Sequence, residues 1–488
     1  MSFNSLEFIA FFVLVLTLYY IAPRGAQTYF LLVASCVFCL SFGTITLLCV
    51  TLTAALTYIA AILVEKAADK SDKTRRTVIL WLYIGAEIAT LAAQRLFFPN
   101  LLLIGLSFYT LSATSYVIDV YREKIRAERR IARIALFICF FPALVQGPIS
   151  RYDKLAPTLF EHHVPRWSNI SSGALRISWG YFKKLVIADT LATLTVNLVG
   201  KSGAYVIFLI FVYAAQIYAD FSGGIDVCIG IARAFGIELC ENFKNPFSST
   251  SLKEYWKRWH ITLGAYFEEY VFYPLSVCRP VQKLMKYVKK RFGRGAGKRV
   301  AVYFATLATW LLTGLWHGFA ANFAAWGFLN GAALIISHEL EPICEKMRWL
   351  FPRLCRLRIY SHFCAFRTFI IIGIFRLLDL YSVYGFLRAL GSIFTDTASW
   401  RELLTGGTLR LGIGLPEYTV IGIAIFAVWL VSRAQIGREK TDREPIFQYI
   451  ASKPATLCAC VSVLTVITLV FGAYGIGYNA TDFIYSQF

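Results

Sequence analysis

Apolar stretches long enough to cross a lipid bilayer recur along this chain, and they restrict it to very few architectures. A hydrocarbon core of roughly 30 Å takes about 20 residues of helix. Apolar runs fall near residues 6–22, 27–43, 45–64, 78–98, 101–118, 134–149, 170–188, 203–219, 222–237, 300–316, 319–337, 366–378, 415–432 and 455–477. With 57% hydrophobic residues among 488 and a mean hydropathy of +0.59, the chain lacks the polar surface that several separate soluble cores require. Several runs are short or interrupted by Gly and Pro, so that some of them read as re-entrant and not spanning, a form tolerated at depth only where protein or a water-filled cavity surrounds the backbone. The expected fold is an all-α polytopic membrane bundle of about 11 transmembrane helices with re-entrant and interfacial helices. It is read as one membrane domain over 1–488. N-terminal spans fill 1–240, an interfacial helix and basic cytoplasmic loop fill 241–299, and the span of a deep histidine with the C-terminal spans fills 300–488.

A net charge of +20 in a soluble protein would raise nucleic-acid binding. Here the basic residues sit in short clusters between apolar runs, the positive-inside pattern, so no nucleic-acid partner is expected. Lys66–Arg76, Arg122–Arg133, Arg279–Arg299, Lys346–Arg358 and Arg433–Arg443 are the clusters, and Arg279–Arg299 holds nine basic residues and no acidic one. Successive clusters are separated by even numbers of runs, so one side, the cytoplasm, accommodates all of them. Both termini are then expected outside. Leu6–Ile21 reads as a retained first span, because no basic region precedes it and no small-residue cleavage site follows. The twelve cysteines include a CxxC at Cys36 and Cys39 and a close pair at Cys458 and Cys460, all inside apolar runs. They read as packed small hydrophobes, and neither a metal nor a bound cofactor is expected.

Asn242–Leu275 differs from its surroundings. Lys253, Glu254, Lys257 and Arg258 interleave with Tyr255, Trp256, Trp259 and Phe267 at helical spacing, which predicts a helix lying at the membrane interface or packed under the bundle. Ser248–Ser251 offers N-cap candidates. His260 closes the run Trp256-Lys257-Arg258-Trp259-His260; it reads either as an interfacial histidine between tryptophans or as a second functional histidine facing the cytoplasm.

The most informative stretch is Thr313–Asn330, TGLWHGFAANFAAWGFLN. A histidine inside an apolar run is costly unless it has a partner or lines a cavity. His317 lies about 27 Å along a helix from Arg299 at 1.5 Å per residue, with Gly314 and Gly318 beside it. Imidazole is the side chain best matched to taking a proton from a hydroxyl near neutral pH. The competing reading is a core histidine bonded to a backbone carbonyl. Trp316 and Asn322 are candidate donors to a developing oxyanion, and Trp256 and Trp259 candidate substrate contacts. Asp220 and Asp226, in YADFSGGIDVCIGIARAFG, either orient a histidine, line a polar substrate entry or act structurally, capping the next helix or pairing with Arg233. Intramembrane Asp220, Asp226 and His317 would also suit a transporter or flippase, against which stand the absence of an internal repeat and the GLWHG context. The Arg279–Arg299 cluster could dock an acidic carrier protein, bind anionic lipid, or only set topology. His162 and His163 receive no role.

These motifs resemble the membrane-bound O-acyltransferase family in its bacterial alginate O-acetylation branch, with a related branch that transfers D-alanine to teichoic acid. The resemblance runs through IGLSFYTLSATSYVIDVYR at 104–122, FFPALVQGPISRYDKL at 140–155, GYFKKLVIAD at 180–189, YADFSGGIDVCIGIARAFGIELCENFKNPF at 218–247, WKRWHITL at 256–263, LLTGLWHG at 311–318 and TDFIYSQF at 481–488. It implies that His317 is the family's near-invariant histidine and His260 its second. It further implies a bundle with a funnel on each face, acyl transfer from a cytoplasmic thioester (acyl-CoA or an acyl carrier protein) to a hydroxyl outside, and an envelope polysaccharide or a relay acyltransferase as receiver. One departure stands out: the family's Phe-Arg-Asp-Tyr motif reads Phe267-Glu268-Glu269-Tyr270 here, which reverses charge on the helix after His260.

Overall fold

The computed structural model describes residues 1–98 and 103–474. The terminal TDFIYSQF motif and the C-terminus, expected outside, lie beyond the described residues. Among the described residues the secondary structure is helical, apart from one isolated antiparallel bridge between Phe243 and Trp259. This is the expected all-α polytopic membrane bundle. Seven helices among the described residues are long and apolar enough to cross a membrane: Thr44–Asp69, Lys73–Phe97, Ala204–Ala234, Arg279–His317, Arg358–Asp379, Leu415–Glu439 and Pro454–Phe471. Leu6–Ile21, Gln27–Leu40 and Val383–Thr395 are apolar but shorter. The run at 134–149 forms no span. It breaks into Ile131–Cys139 and a turn at Phe141–Leu144, since Pro142 and Pro148 each remove a backbone donor and fix φ.

The chain forms two compact units, Met1–Val186 with Ala219–Glu241 and the segment from Ala434 onward, and Ile187–Tyr218 with Asn242–Arg433. In the first, Thr44–Asp69 packs against Lys73–Phe97 and Leu106–Tyr121. Leu106–Tyr121 is buried on every side, so its small Ser, Thr and Ala residues serve close packing and not an amphipathic face. Phe8, Phe38 and Phe141 interlock at 5.7–6.5 Å between ring centroids.

A second contact in this unit sets Trp167–Tyr181 against the later half of Ala204–Ala234. Glycines repeat at a seven-residue interval on both helices, Gly173 and Gly180 against Gly230 and Gly223. A β-carbon on Gly173 would stand 2.6 Å from the Gly230 carbonyl oxygen, and one on Gly180 2.6 Å from that of Gly223. Only glycine admits this approach, as expected where helices associate without a hydrophobic driving force.

In the second unit, Arg279–His317 and Ala321–Glu339 form an antiparallel hairpin. Gly314 and Gly327 let the two helices touch backbone to backbone; a methyl group on either would strike the carbonyl of Phe323 or Trp310. Arg279–His317 is itself kinked at Gly293, whose φ of 93° is left-handed, so the basic arm Arg279–Phe292 and the histidine-bearing helix are separate rods.

The 242–275 segment is not the one continuous helix its spacing predicts. It folds as short helices over Leu252–Trp256, Ile261–Phe267 and Tyr273–Val277, with a wide π-type turn at Glu268–Phe272. Ser251 caps the first of them, its hydroxyl accepting from the Glu254 N–H at 3.2 Å. The helix cannot run on because His260 takes a left-handed conformation, φ 46° and ψ 56°, and pairing of Phe243 with Trp259 competes for the same backbone.

Candidate active site

His260 is fixed by its backbone before its side chain does anything. Left-handed backbone is uncommon outside glycine, and a residue held there marks a spot that the surrounding structure over-determines. The clamp is Asn242, which is fully buried. Its carbonyl accepts from the Ile261 N–H at 3.0 Å. Its side-chain oxygen accepts from the Thr262 N–H and hydroxyl, both at 2.9 Å, and lies 3.3 Å from His260 Nδ1. His260 is only 3% exposed. Burial, reinforced by the Arg376 guanidinium, pushes its imidazole down to about 3, so the ring is neutral throughout the physiological range.

His317 is placed by the hairpin. It is the last residue of its helix, and the Gly318 N–H closes that helix onto the Gly314 carbonyl at 3.2 Å. Its ring is half-buried and surrounded by aromatic groups. Trp316 lies 4.9 Å away, Trp326 sits edge-on at 5.2 Å and 81°, and Phe323 is stacked at 6.5 Å, all between centroids. Trp316 also meets His260, at 6.4 Å. One indole therefore touches both histidines, one of them sealed and the other accessible.

The remaining candidates fall into two groups. Trp256 and Trp259 belong to the histidine cluster. Trp256 packs edge-on against Trp310 at 4.6 Å and Trp326 at 5.8 Å, and Trp259 stacks with Tyr255 at 5.7 Å. The Asn322 amide donates to the Leu378 carbonyl at 2.8 Å, tying the start of its helix to the turn Leu377–Asp379. Asp220 and Asp226 belong to the other compact unit. Lys184 bonds Asp220 at 2.6 Å, and Asp226 takes Lys183 at 2.6 Å and Arg176 at 2.8 Å. Arg176 continues to Glu241 at 2.6 Å, and Lys183 also donates to Ser222 at 2.8 Å. Arg233, named above as a possible partner for these carboxylates, bonds Glu238 instead, at 2.7 Å. His162 and His163 serve local structure, against Gln27 and the Thr158 carbonyl.

Sequence reasoning passed over three residues of the cluster. Arg376 is a charge inside the apolar run at 366–378, a signal in itself, and its side chain is bonded to Asp379 at 3.3 Å. Trp326 lies within the informative stretch but carried no distinguishing mark. Asn242 gave no signal, because its role comes from a pairing between segments. No group of three or more His, Cys, Asp or Glu among the described residues has the arrangement of a metal site.

The sequence profile of the membrane-bound O-acyltransferase family matches residues 37–382. A protein described as "probable alginate O-acetylase" from Pseudomonas syringae pv. tomato is 35% identical over 257 residues, 52% of this chain and 46% of that protein. The peptidoglycan O-acetyltransferase of Helicobacter pylori is 28% identical over 290 residues, 53% of this chain and 52% of that one. The teichoic acid D-alanyltransferase of Bacillus subtilis is 24% identical over 284 residues, covering 55% and 68%. The match thus spans about half the length of the first of these relatives.

Proposed function

The chain belongs to the membrane-bound O-acyltransferase family, and from that premise we propose that it transfers an acyl group, acetyl in the first instance, from a thioester to a hydroxyl, with His317 as general base. The observation that carries this reading is the half-buried imidazole at the end of a helix, with Trp316, Phe323 and Trp326 beside it. In the reaction, the His317 ring takes the proton of the acceptor hydroxyl as its oxygen attacks the thioester carbonyl. The tetrahedral intermediate collapses with cleavage of the C–S bond, and the imidazolium returns the proton to the departing thiolate. General-base help of this kind contributes about 10²–10⁴-fold; positioning and donors at the oxyanion supply the rest. Trp316 and the second amide hydrogen of Asn322 are the proposed donors. His260, held neutral, is the proposed positioning partner, with Trp256 and Trp259 as substrate contacts. Of the roles open to Asp220 and Asp226, the ion-paired framework is the one their partners Lys184, Lys183 and Arg176 support.

We place the protein in a bacterial cytoplasmic membrane with both termini outside, as one catalytic membrane domain. The donor is acyl-CoA or an acyl carrier protein arriving from the cytoplasm, where the Arg279–Arg299 basic cluster would meet an acidic carrier. The acceptor is a cell-envelope polysaccharide or an extracytoplasmic acyltransferase that relays to one. The likeness to the alginate and peptidoglycan acetylating proteins favours acetyl; the likeness to the D-alanyltransferase keeps a D-alanyl cargo as the second reading. The test compares O-acyl esters released from envelope polymers of wild-type and His317→Ala cells. Loss of the esters at unchanged protein level is expected. Equal ester content would refute the assignment, and loss of D-alanine esters with acetyl intact would reverse the order of the two cargoes.

A further inference from the structure

We propose that Arg376 is a positioning residue for this reaction: clamped against Trp256, Trp259 and Trp326, its guanidinium holds the Trp326 indole edge-on to the His317 imidazole. The inference rests on His317 being the reacting base. Arg376 is 4% exposed. Its Cζ lies 5.0 Å from the Trp259 ring, 5.3 Å from Trp326 and 5.9 Å from Trp256. Asp379 bonds Arg376 at 3.3 Å, and the Tyr213 hydroxyl bonds the same Asp379 oxygen at 3.4 Å. An ion pair needs only the carboxylate. The three indoles add something an ion pair does not use, because they come from three places: the helix Leu252–Trp256, the corner before His260, and the helix Ala321–Glu339. Trp326, buried at 2% exposure, is the one in contact with His317. One planar cation therefore joins the segment carrying His260 to the helix that backs His317. Attraction between a cation and an indole face is strongest where water is excluded. Lysine could keep the charge but has no flat face to lay against the rings.

The test uses full-length protein purified in detergent and two readouts. The first is the rate at which diethyl pyrocarbonate modifies His317, resolved by peptide mass spectrometry with exposed His338 as the internal reference. The second is O-acyl ester content of envelope polymers in cells. Arg376→Met and Trp326→Phe are each expected to raise the modification rate of His317 relative to His338, and to lower acyl transfer on the order of 10–100-fold at equal protein level. Arg376→Lys should fall between Arg376→Met and wild type. The double variant Arg376→Met/Trp326→Phe should be no worse than the poorer single one, because the two act on the same contact. Losses that multiply, or an unchanged modification rate with wild-type transfer, would overturn the inference. Should Arg376→Met fail to fold, Arg376→Lys and Trp326→Phe carry the same comparison. The modification readout needs no substrate, so it separates a failure of this inference from a failure of the acyltransferase reading.

Discussion

Polar groups inside the apolar chain sit in different settings at the first unit's glycine crossing and around the second unit's histidine. At the glycine crossing of the first, Lys184 and Asp220 are each 1% exposed and bonded to one another, and Arg176, Lys183, Asp226 and Glu241 extend a chain of ion pairs. In the second, the half-buried ring that stands out is a histidine among Trp316, Phe323 and Trp326. Buried opposite charges neutralise each other and become framework, since breaking such a pair leaves an uncompensated charge. The half-buried His317 imidazole lies beside aromatic rings instead, and it is the group to which the proposed function assigns the chemistry. Titratable residues in a membrane chain thus divide by what surrounds them, and depth alone does not separate structure from chemistry.

This contrast predicts different failures. Asp220→Ala removes the buried carboxylate that pairs with the Lys184 ammonium and should cost about 3–5 kcal/mol, read as a fall in folded yield and in the melting temperature in detergent. The double variant Lys184→Met/Asp220→Leu should recover most of that loss, with ester formation per folded molecule near wild type. His317→Ala should do the reverse, removing activity at an unchanged melting temperature. A melting temperature that drops with His317→Ala, or an Asp220 variant that folds normally but is inactive, would erase the distinction.

A smaller effect concerns pH. The unfolded chain takes up a proton on His260 below about pH 6.5, whereas the folded protein, with this imidazole near 3, does not. The unfolded state therefore binds more protons in that window, and stability declines as pH falls from about 6.5 towards 3. At pH 5 the loss is about 2 kcal/mol relative to pH 7. His260→Asn keeps a residue that tolerates left-handed backbone and should flatten this part of the stability curve; an unchanged slope would mean the ring is not held neutral. Smallest of all, Ser251→Ala removes one helix cap and should cost about 1 kcal/mol, with the melting temperature as its measure.

Much of this molecule was legible in its residues, and for identifiable reasons. Apolar run length dictates helices that cross a membrane, because burial in lipid leaves the backbone few alternatives. The GLWHG context marks His317 through the cost of an imidazole in an apolar run, and Ser251 announces a helix start by its chemistry. These are local properties, carried by a residue and its near neighbours. Contacts between distant segments decided the rest. Asn242 meets His260 across 18 residues, and their pairing breaks a helix that the aromatic and charged periodicity had promised. Asp220 finds Lys184 and not Arg233 because two glycine-bearing helices approach until their backbones touch. Arg376 draws three tryptophans from three segments around one guanidinium. Sequence fixes what each side chain is able to do and what it costs to bury; which groups share that cost is set by packing, since partners far apart in the chain meet only once the helices have crossed.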